Sequence, residues 1–225
     1  MPTDLNKEAA RLEAEIVSQI LSLANPGTAA VRNIRRTFSK RIQQTDPRTV
    51  IELGTRLADR SHTFFRFVGY ELILNHPQAM LSLGARSLER LGQGIDSWSA
   101  VDCFALILSG PAWREGLVTD TLIHGWAQAI DRWWRRAALV STVPLNNRAR
   151  GGQGDTERTL RVCELLQADR DEMVVKALSW ALRELSKRDA AAVQQFIDQH
   201  QQTLAPLVIR EVRNKLRSGL KNPRS

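Results

Sequence analysis

Apolar residues recur every three or four positions along almost the whole chain. They begin with Leu5, Ala9, Leu12, Ile16, Ile20 and Leu23, which share one stripe of a helix. Punctuation then repeats. Asn25, Pro26 and Gly27 break the chain and Thr28 is placed to cap the next helix; Asp46 before Pro47 is an N-cap with proline at the first helical position. Further stops stand at His76 and Pro77, Gly92 to Gly94, Gly110 and Pro111, and Pro144. The spacing predicts helices of roughly twelve to twenty residues, and no run alternates polar and apolar residues convincingly enough for a strand.

An all-α chain with short connections forms either a bundle or a stack of helix pairs. A breaker every fifteen to twenty residues or so gives pairs of about forty, the period of HEAT-like repeats. The expectation is therefore an all-α solenoid of antiparallel helix pairs, with residues 1–225 as one domain. The segment from Asn146 to Gly154 stands apart as a polar, Gly-rich, flexible connection before Asp155 caps another helix. Its Arg148 and Arg150 serve either a solvated linker or contact with a DNA backbone.

The 225 residues carry a formal net charge of +8, and only six of the 32 basic residues are lysine. Arginine's permanently charged planar fork suits phosphate, which makes nucleic acid the first partner to consider beside a merely basic, soluble surface. Cys103 and Cys163 have no Cys or His neighbour at metal-ligand spacing, and no phosphate-binding Gly motif occurs, so neither metal nor organic cofactor is expected. A charged N-terminal segment and the lack of a long apolar run point away from a secretory signal or membrane span, toward a reducing cytoplasm.

Three clusters could carry chemistry. In the helix opening at Asp96 or Ser97, Trp98 and Asp102 lie four apart and share a face. A carboxylate among Val101, Cys103, Phe104 and Leu106 needs a partner or an open cleft: it either ties two helices through an ion pair or serves catalysis. In the second cluster, from Asp131 to Val140, cations and aromatics interleave, with Arg132 and Arg136 on one face and one of Trp133 and Trp134 in the core. In the third, Lys176, Trp180, Arg183 and Lys187 form a stripe opposite Val174, Val175, Leu178, Leu182 and Leu185, leaving the indole among cations on the polar side.

In WSAVD at 98–102, WWRRAALV at 133–140, KALSWALRELSK at 176–187 and REVRNKL at 210–216, the chain resembles the AlkD-type DNA alkylation repair glycosylases, a family of HEAT-like helical repeats. The resemblance spans nearly the full length and implies a concave basic cleft for DNA. It places the family's active-site acid on Asp102, its cleft tryptophans on Trp98 and Trp180, and its cleft arginine on Arg136. Arg183 and Lys187 fall where the family carries cationic DNA contacts. Arg135 and Lys176 complete the expected DNA-binding set together with Arg148 and Arg150, which enter from the residues alone because the resemblance does not extend to their loop.

The implied activity is hydrolysis of the N-glycosidic bond of cationic alkylated purines such as 3-methyladenine and 7-methylguanine, in base excision repair. Asp102 stabilises the deoxyribose cation or positions water, the indoles cradle the cationic nucleoside, and Arg136 grips a phosphate while holding Asp102 ionised. The family leaves the lesion in the duplex. A monomer is expected, acting on double-stranded DNA without a Schiff base at Lys176, cytoplasmic and nucleoid-associated through DNA. The rivals are a non-catalytic HEAT-like protein binding damaged or branched DNA, and an adaptor for acidic proteins.

Overall fold

The structure, a computed structural model, describes residues 4–24, 26–60 and 62–223. Asn25 and the first three residues of the charged N-terminal segment lie outside the described residues. Every regular element described is helical, with no strand. The chain divides between Ile95 and Asp96 into two compact units.

The first unit contains α1 (Asp4–Leu21), α2 (Thr28–Arg41), α3 (Pro47–Asp59), α4 (Thr63–Leu74), α5 (Pro77–Leu81) and α6 (Ala85–Leu91). The predicted stripe of α1 is its buried face, with Ala9, Leu12, Ile16 and Ile20 nearly inaccessible. Asp46 caps α3 as expected, accepting from the Arg48 N–H at 2.8 Å. Gly27, not Thr28, occupies the cap position of α2, and Thr28 is the first helical residue.

Helix α1 packs on α3, α2 on α4, and α3 on α4, so the pair α1–α2 stacks on the pair α3–α4. The tightest crossing is at Gly54 and Gly69: a Cβ on Gly69 would come within 2.8 Å of the Gly54 carbonyl oxygen. Buried Glu13 fastens α1 to α3 by accepting from Arg56 Nε and Arg60 Nε, each at 2.6 Å.

The second unit contains α7 (Trp98–Phe104), a π-helical turn (Ala105–Ser109), α8 (Gly110–Arg114), α9 (Asp120–Ala127), α10 (Arg132–Ser141), α11 (Val143–Asn146), a 3₁₀ turn (Arg148–Arg150), α12 (Thr156–Leu165), α13 (Glu172–Leu185), α14 (Ala190–Gln199) and α15 (Pro206–Ser218). Several are shorter than the predicted range because Gly110–Pro111 and Pro144 interrupt their segments without ending the helical path. Helices α7, α10, α13 and α15 form a row, each packed on the next, while α9, α12 and α14 pack beside α10, α13 and α15. Stacked helix pairs are thus the architecture within this unit. Phe104, Trp126 and Trp134 tie α7, α9 and α10 together, with Trp126 and Trp134 centroids 4.9 Å apart and Phe104 edge-on to Trp134 at 6.0 Å. Neither Trp133 nor Trp134 is fully buried, against the expectation that one is core; both are half-buried, and Trp134 is the one that packs on Phe104 and Trp126.

Candidate active site

Ser97 starts α7, its hydroxyl accepting from the Ala100 N–H. Ala100, Val101 and Phe104 turn inward, Trp98 turns out at 59% exposure, and Asp102, one turn on from Trp98, sits at the boundary. Beyond Phe104 the helix widens. The Gly110 N–H reaches back five residues to the Ala105 carbonyl, and the next donor in that register would come from residue 111, a proline with no N–H. The Leu106 carbonyl is thereby orphaned, and Arg150 Nη1 donates to it at 3.1 Å.

The turn is pressed against α10 and α11. A Cβ on Gly110 would meet Pro144 Cγ at 2.6 Å and the Ser141 carbonyl oxygen at 2.8 Å. Buried Ser109 and Ser141 hydroxyls lie 2.7 Å apart; with Ser141 donating to the Ala137 carbonyl, Ser109 is the donor of the pair.

Asp102 faces Arg136 of α10. The guanidinium donates through Nε to Oδ1 and through Nη2 to Oδ2, both at 2.9 Å, the two-pronged geometry that gives a carboxylate one orientation. Its Nη1 donates to the Met173 carbonyl at 2.6 Å, in the first turn of α13. One side chain thus joins three helices. The Arg136 side chain is only 6% exposed and that of Asp102 16%, so the acid keeps an accessible edge while its partner is closed in. Burial pushes the Asp102 carboxyl above its ordinary value, against the opposing pull of Arg136. Trp180 stands seven residues after Met173, two turns along the same face of α13, and is half-buried.

The other expected cations separate by what holds them. Arg135 Nε donates to Asp169 at 2.7 Å and its Nη1 to the Ala129 and Ile130 carbonyls at 3.0 and 2.6 Å. Arg132 pairs with Asp171 at 3.3 Å and lies over the Trp133 ring. Burial pushes Asp171 up, but hydrogen bonds from the Met173 N–H, Arg132 and the Val174 N–H outweigh it and hold the carboxyl low. The run of arginines opening α10 therefore locks onto the start of α13.

Arg183 is largely buried, donating to Ser179 Oγ at 3.2 Å and lying 3.7 Å from Glu211, which itself accepts from Ser179 at 2.6 Å. Lys176 and Lys187 are exposed and paired within their own helical segment, with Glu172 at 2.5 Å and Glu184 at 2.6 Å.

The Asn146–Gly154 segment, expected to be flexible, is braced. Asn146 Nδ2 donates to Thr159 Oγ1, its Oδ1 accepts from the Asp155 N–H, and Arg188 donates to the Asn146 and Gly152 carbonyls. Gly152 fits because it has no Cβ; one would lie 2.5 Å from the Pro144 carbonyl oxygen. Asp155 caps α12 as predicted. Arg114 donates to the Arg150 carbonyl. Arg148 alone of the loop's arginines has no side-chain hydrogen bond or ion pair among the described residues.

A family profile described as "DNA alkylation repair enzyme" matches residues 23–216, most of the chain and all four residues of this constellation. The chain belongs to that family. Membership makes repair of alkylated DNA the process and DNA the partner. No curated protein matches the chain. No helix among the described residues is long and apolar enough to cross a membrane, and none of their His, Cys, Asp and Glu side chains gather in a group of three that could hold a metal ion.

The sequence led to the expectation of Arg136 beside Asp102 but gave no sign of what binds the pair to α13. Asp169 and Asp171, flanking Arg170 just before α13, are the partners of Arg135 and Arg132. Their alternation next to a helix start was a readable signal for capping and pairing.

Proposed function

We propose that the protein is a monofunctional DNA glycosylase of the AlkD type that releases cationic alkylated purines, with Asp102 as the catalytic carboxylate. The supporting observation is a carboxylate fixed by two hydrogen bonds from a closed-in arginine, accessible along one edge, one helical turn from an exposed indole.

A purine alkylated at N3 or N7 is already a good leaving group. As its bond to the sugar stretches, positive charge grows on the deoxyribose, and a preoriented carboxylate in a partly desolvated setting stabilises that charge more than water does. Arg136 uses one lone pair of each Asp102 oxygen and leaves the others to face sugar or water. In this reading Arg136 is a positioning residue, since its donors are engaged by Asp102 and Met173, and the phosphate grip passes to less committed cations. Trp98 offers its negative face to the cationic nucleoside, with Trp180 from α13 as the second indole.

The bridging of three helices by Arg136 also suits the rival reading, a DNA-binding protein whose Asp102 is a structural tie. One assay separates them. The native protein, incubated with duplex DNA carrying 7-methylguanine or 3-methyladenine, is expected to release free base; Asp102→Asn is expected to lose most release while retaining duplex binding and helical circular dichroism. No release by the native protein from either lesion supports the binding reading, and undiminished release by the variant removes Asp102 from its role.

A further inference from the structure

A groove of about 950 Å³ runs between α14 and α15, apart from the Asp102 constellation. Helix α15 is two-faced: Val208, Glu211 and Val212 are buried, while Pro206, Ile209, Arg210, Arg213 and Arg217 line the groove on the other side. Arg210, Arg213 and Arg217 follow a spacing of three and four, one edge of a helix about 10 Å long. Among the described residues no acidic side chain lines the groove, the nearest acid shown being Asp198 beside Arg213, and Arg170 adds a fourth guanidinium.

These arginines are unequally committed. Arg170 donates to the Asp169 and Thr203 carbonyls and braces the turn before α15. Arg213 is shared with Gln201 and, at 3.6 Å, with Asp198. Arg217 has one long hydrogen bond, 3.3 Å to Asn214, and Arg210 has no side-chain hydrogen bond or ion pair among the described residues. The charge most available to a ligand is therefore at Arg210 and Arg217. Between the cations Pro206 and Ile209 offer apolar surface, with Leu204 nearly inaccessible beneath, and the side amides of Gln194 and Gln202 stand at the wall.

We propose that this groove binds a segment of single-stranded DNA, in addition to the duplex engaged by the proposed glycosylase site and independently of that activity. A cationic edge beside apolar surface with amides matches the two sides of an unpaired strand, phosphates along one and bases along the other. A duplex keeps its bases stacked inside and offers that apolar surface nothing to bury. An acidic peptide also matches the arginines, which makes oligoglutamate the competitor in the test.

The test measures anisotropy of a labelled twelve-nucleotide oligothymidylate and of a lesion-free duplex across a salt series. The native protein is expected to bind the single strand. Arg210→Glu with Arg217→Glu is expected to weaken it about a hundredfold or more at low salt, on the scale of two charge-assisted hydrogen bonds removed. Duplex affinity should stay unchanged. Arg210→Gln with Arg217→Gln should lower the slope of log K against log salt by about 1.4, or about 0.7 for each phosphate no longer neutralised.

Both side chains being exposed, circular dichroism should be unaltered. Unchanged single-strand binding, equal loss of duplex binding, or displacement by oligoglutamate at matched charge overturns the proposal. Loss of base release on Asp102→Asn leaves it standing, so its failure and that of the glycosylase reading are separable.

Discussion

Replacing Arg136 with glutamine removes both bonds to Asp102 and the bond to the Met173 carbonyl while leaving a neutral polar side chain in place. Breaking a buried ion pair from one side typically costs about 3 to 5 kcal/mol, because the surviving charge stays desolvated. Asp102 keeps 16% of its side-chain surface, so water can replace part of the missing partner, and about 2 to 3 kcal/mol is expected. At about 2 to 4 °C per kcal/mol, the unfolding midpoint should fall by about 4 to 12 °C at neutral pH. The penalty has a proton signature. Burial already raises the Asp102 carboxyl and Arg136 opposes that rise, so the variant's carboxyl should titrate higher still. An acid raised in the folded state binds its proton more tightly there than in the unfolded chain. Its destabilising effect is complete above the folded value and relieved as pH falls toward the unfolded value of about 4. The difference in midpoint between native protein and Arg136→Gln should therefore narrow from pH 7.5 to pH 4.5, by thermal denaturation in matched buffers. A difference that stays constant or widens refutes the account of an unpaired desolvated carboxylate.

Trp98→Ala should leave the unfolding free energy within about 0.5 kcal/mol of native, as exposed positions do. It should lower release of a cationic base by about 2-fold to 30-fold, the range of one cation–π interaction at about 0.5 to 2 kcal/mol; an unaltered rate removes the indole from the site. Gly152→Ala forces a Cβ against backbone and should cost more than about 2 kcal/mol in urea denaturation. A neutral outcome means the loop can shift off Pro144. Arg150→Met should cost about 0.5 to 1.5 kcal/mol by removing the exposed hydrogen bond to the Leu106 carbonyl without altering duplex affinity, and Arg148→Gln should do the reverse. Equal effects on affinity from the two would show that the loop's arginines are not divided in this way.

Helical periodicity and caps at Asp46, Ser97 and Asp155 were legible because a stripe and an N-cap are local patterns. The π turn was less so. Gly110 and Pro111 read as a stop, yet the tight approach to Pro144 and Ser141 keeps the chain helical through a wider turn. The loop from Asn146 to Gly154 reads as flexible because its residues are those of turns. What braces it, Arg188 and Thr159, is distant in sequence and invisible to local pattern. Asp102 and Arg136 were legible as a carboxylate needing a partner and an arginine on a suitable face, but their two-pronged pairing and the link to Met173 are tertiary facts.

A net charge of +8 measures what a partner feels at a distance, whereas close binding depends on which cations can change partners cheaply. Arg135 and Arg136 cannot. Releasing them would strand Asp169, Asp102 and the part-buried Ala129 and Met173 carbonyls, each a desolvation loss of about 1 to 3 kcal/mol. Lys176 sits in an exposed pair between neighbouring turns of the kind worth about 0 to 1 kcal/mol, so a phosphate can replace Glu172 at little cost, whereas Lys187 is held by the buried Glu184. Arg148, Arg210 and Arg217 are freer still. Arginine therefore does two different jobs here: near Asp102 it fixes a carboxylate and welds α10 to α13, and on the loop and on α15 it remains available to an anion. Substitutions in the first group should move unfolding midpoints before they move salt slopes, and those in the second group the opposite.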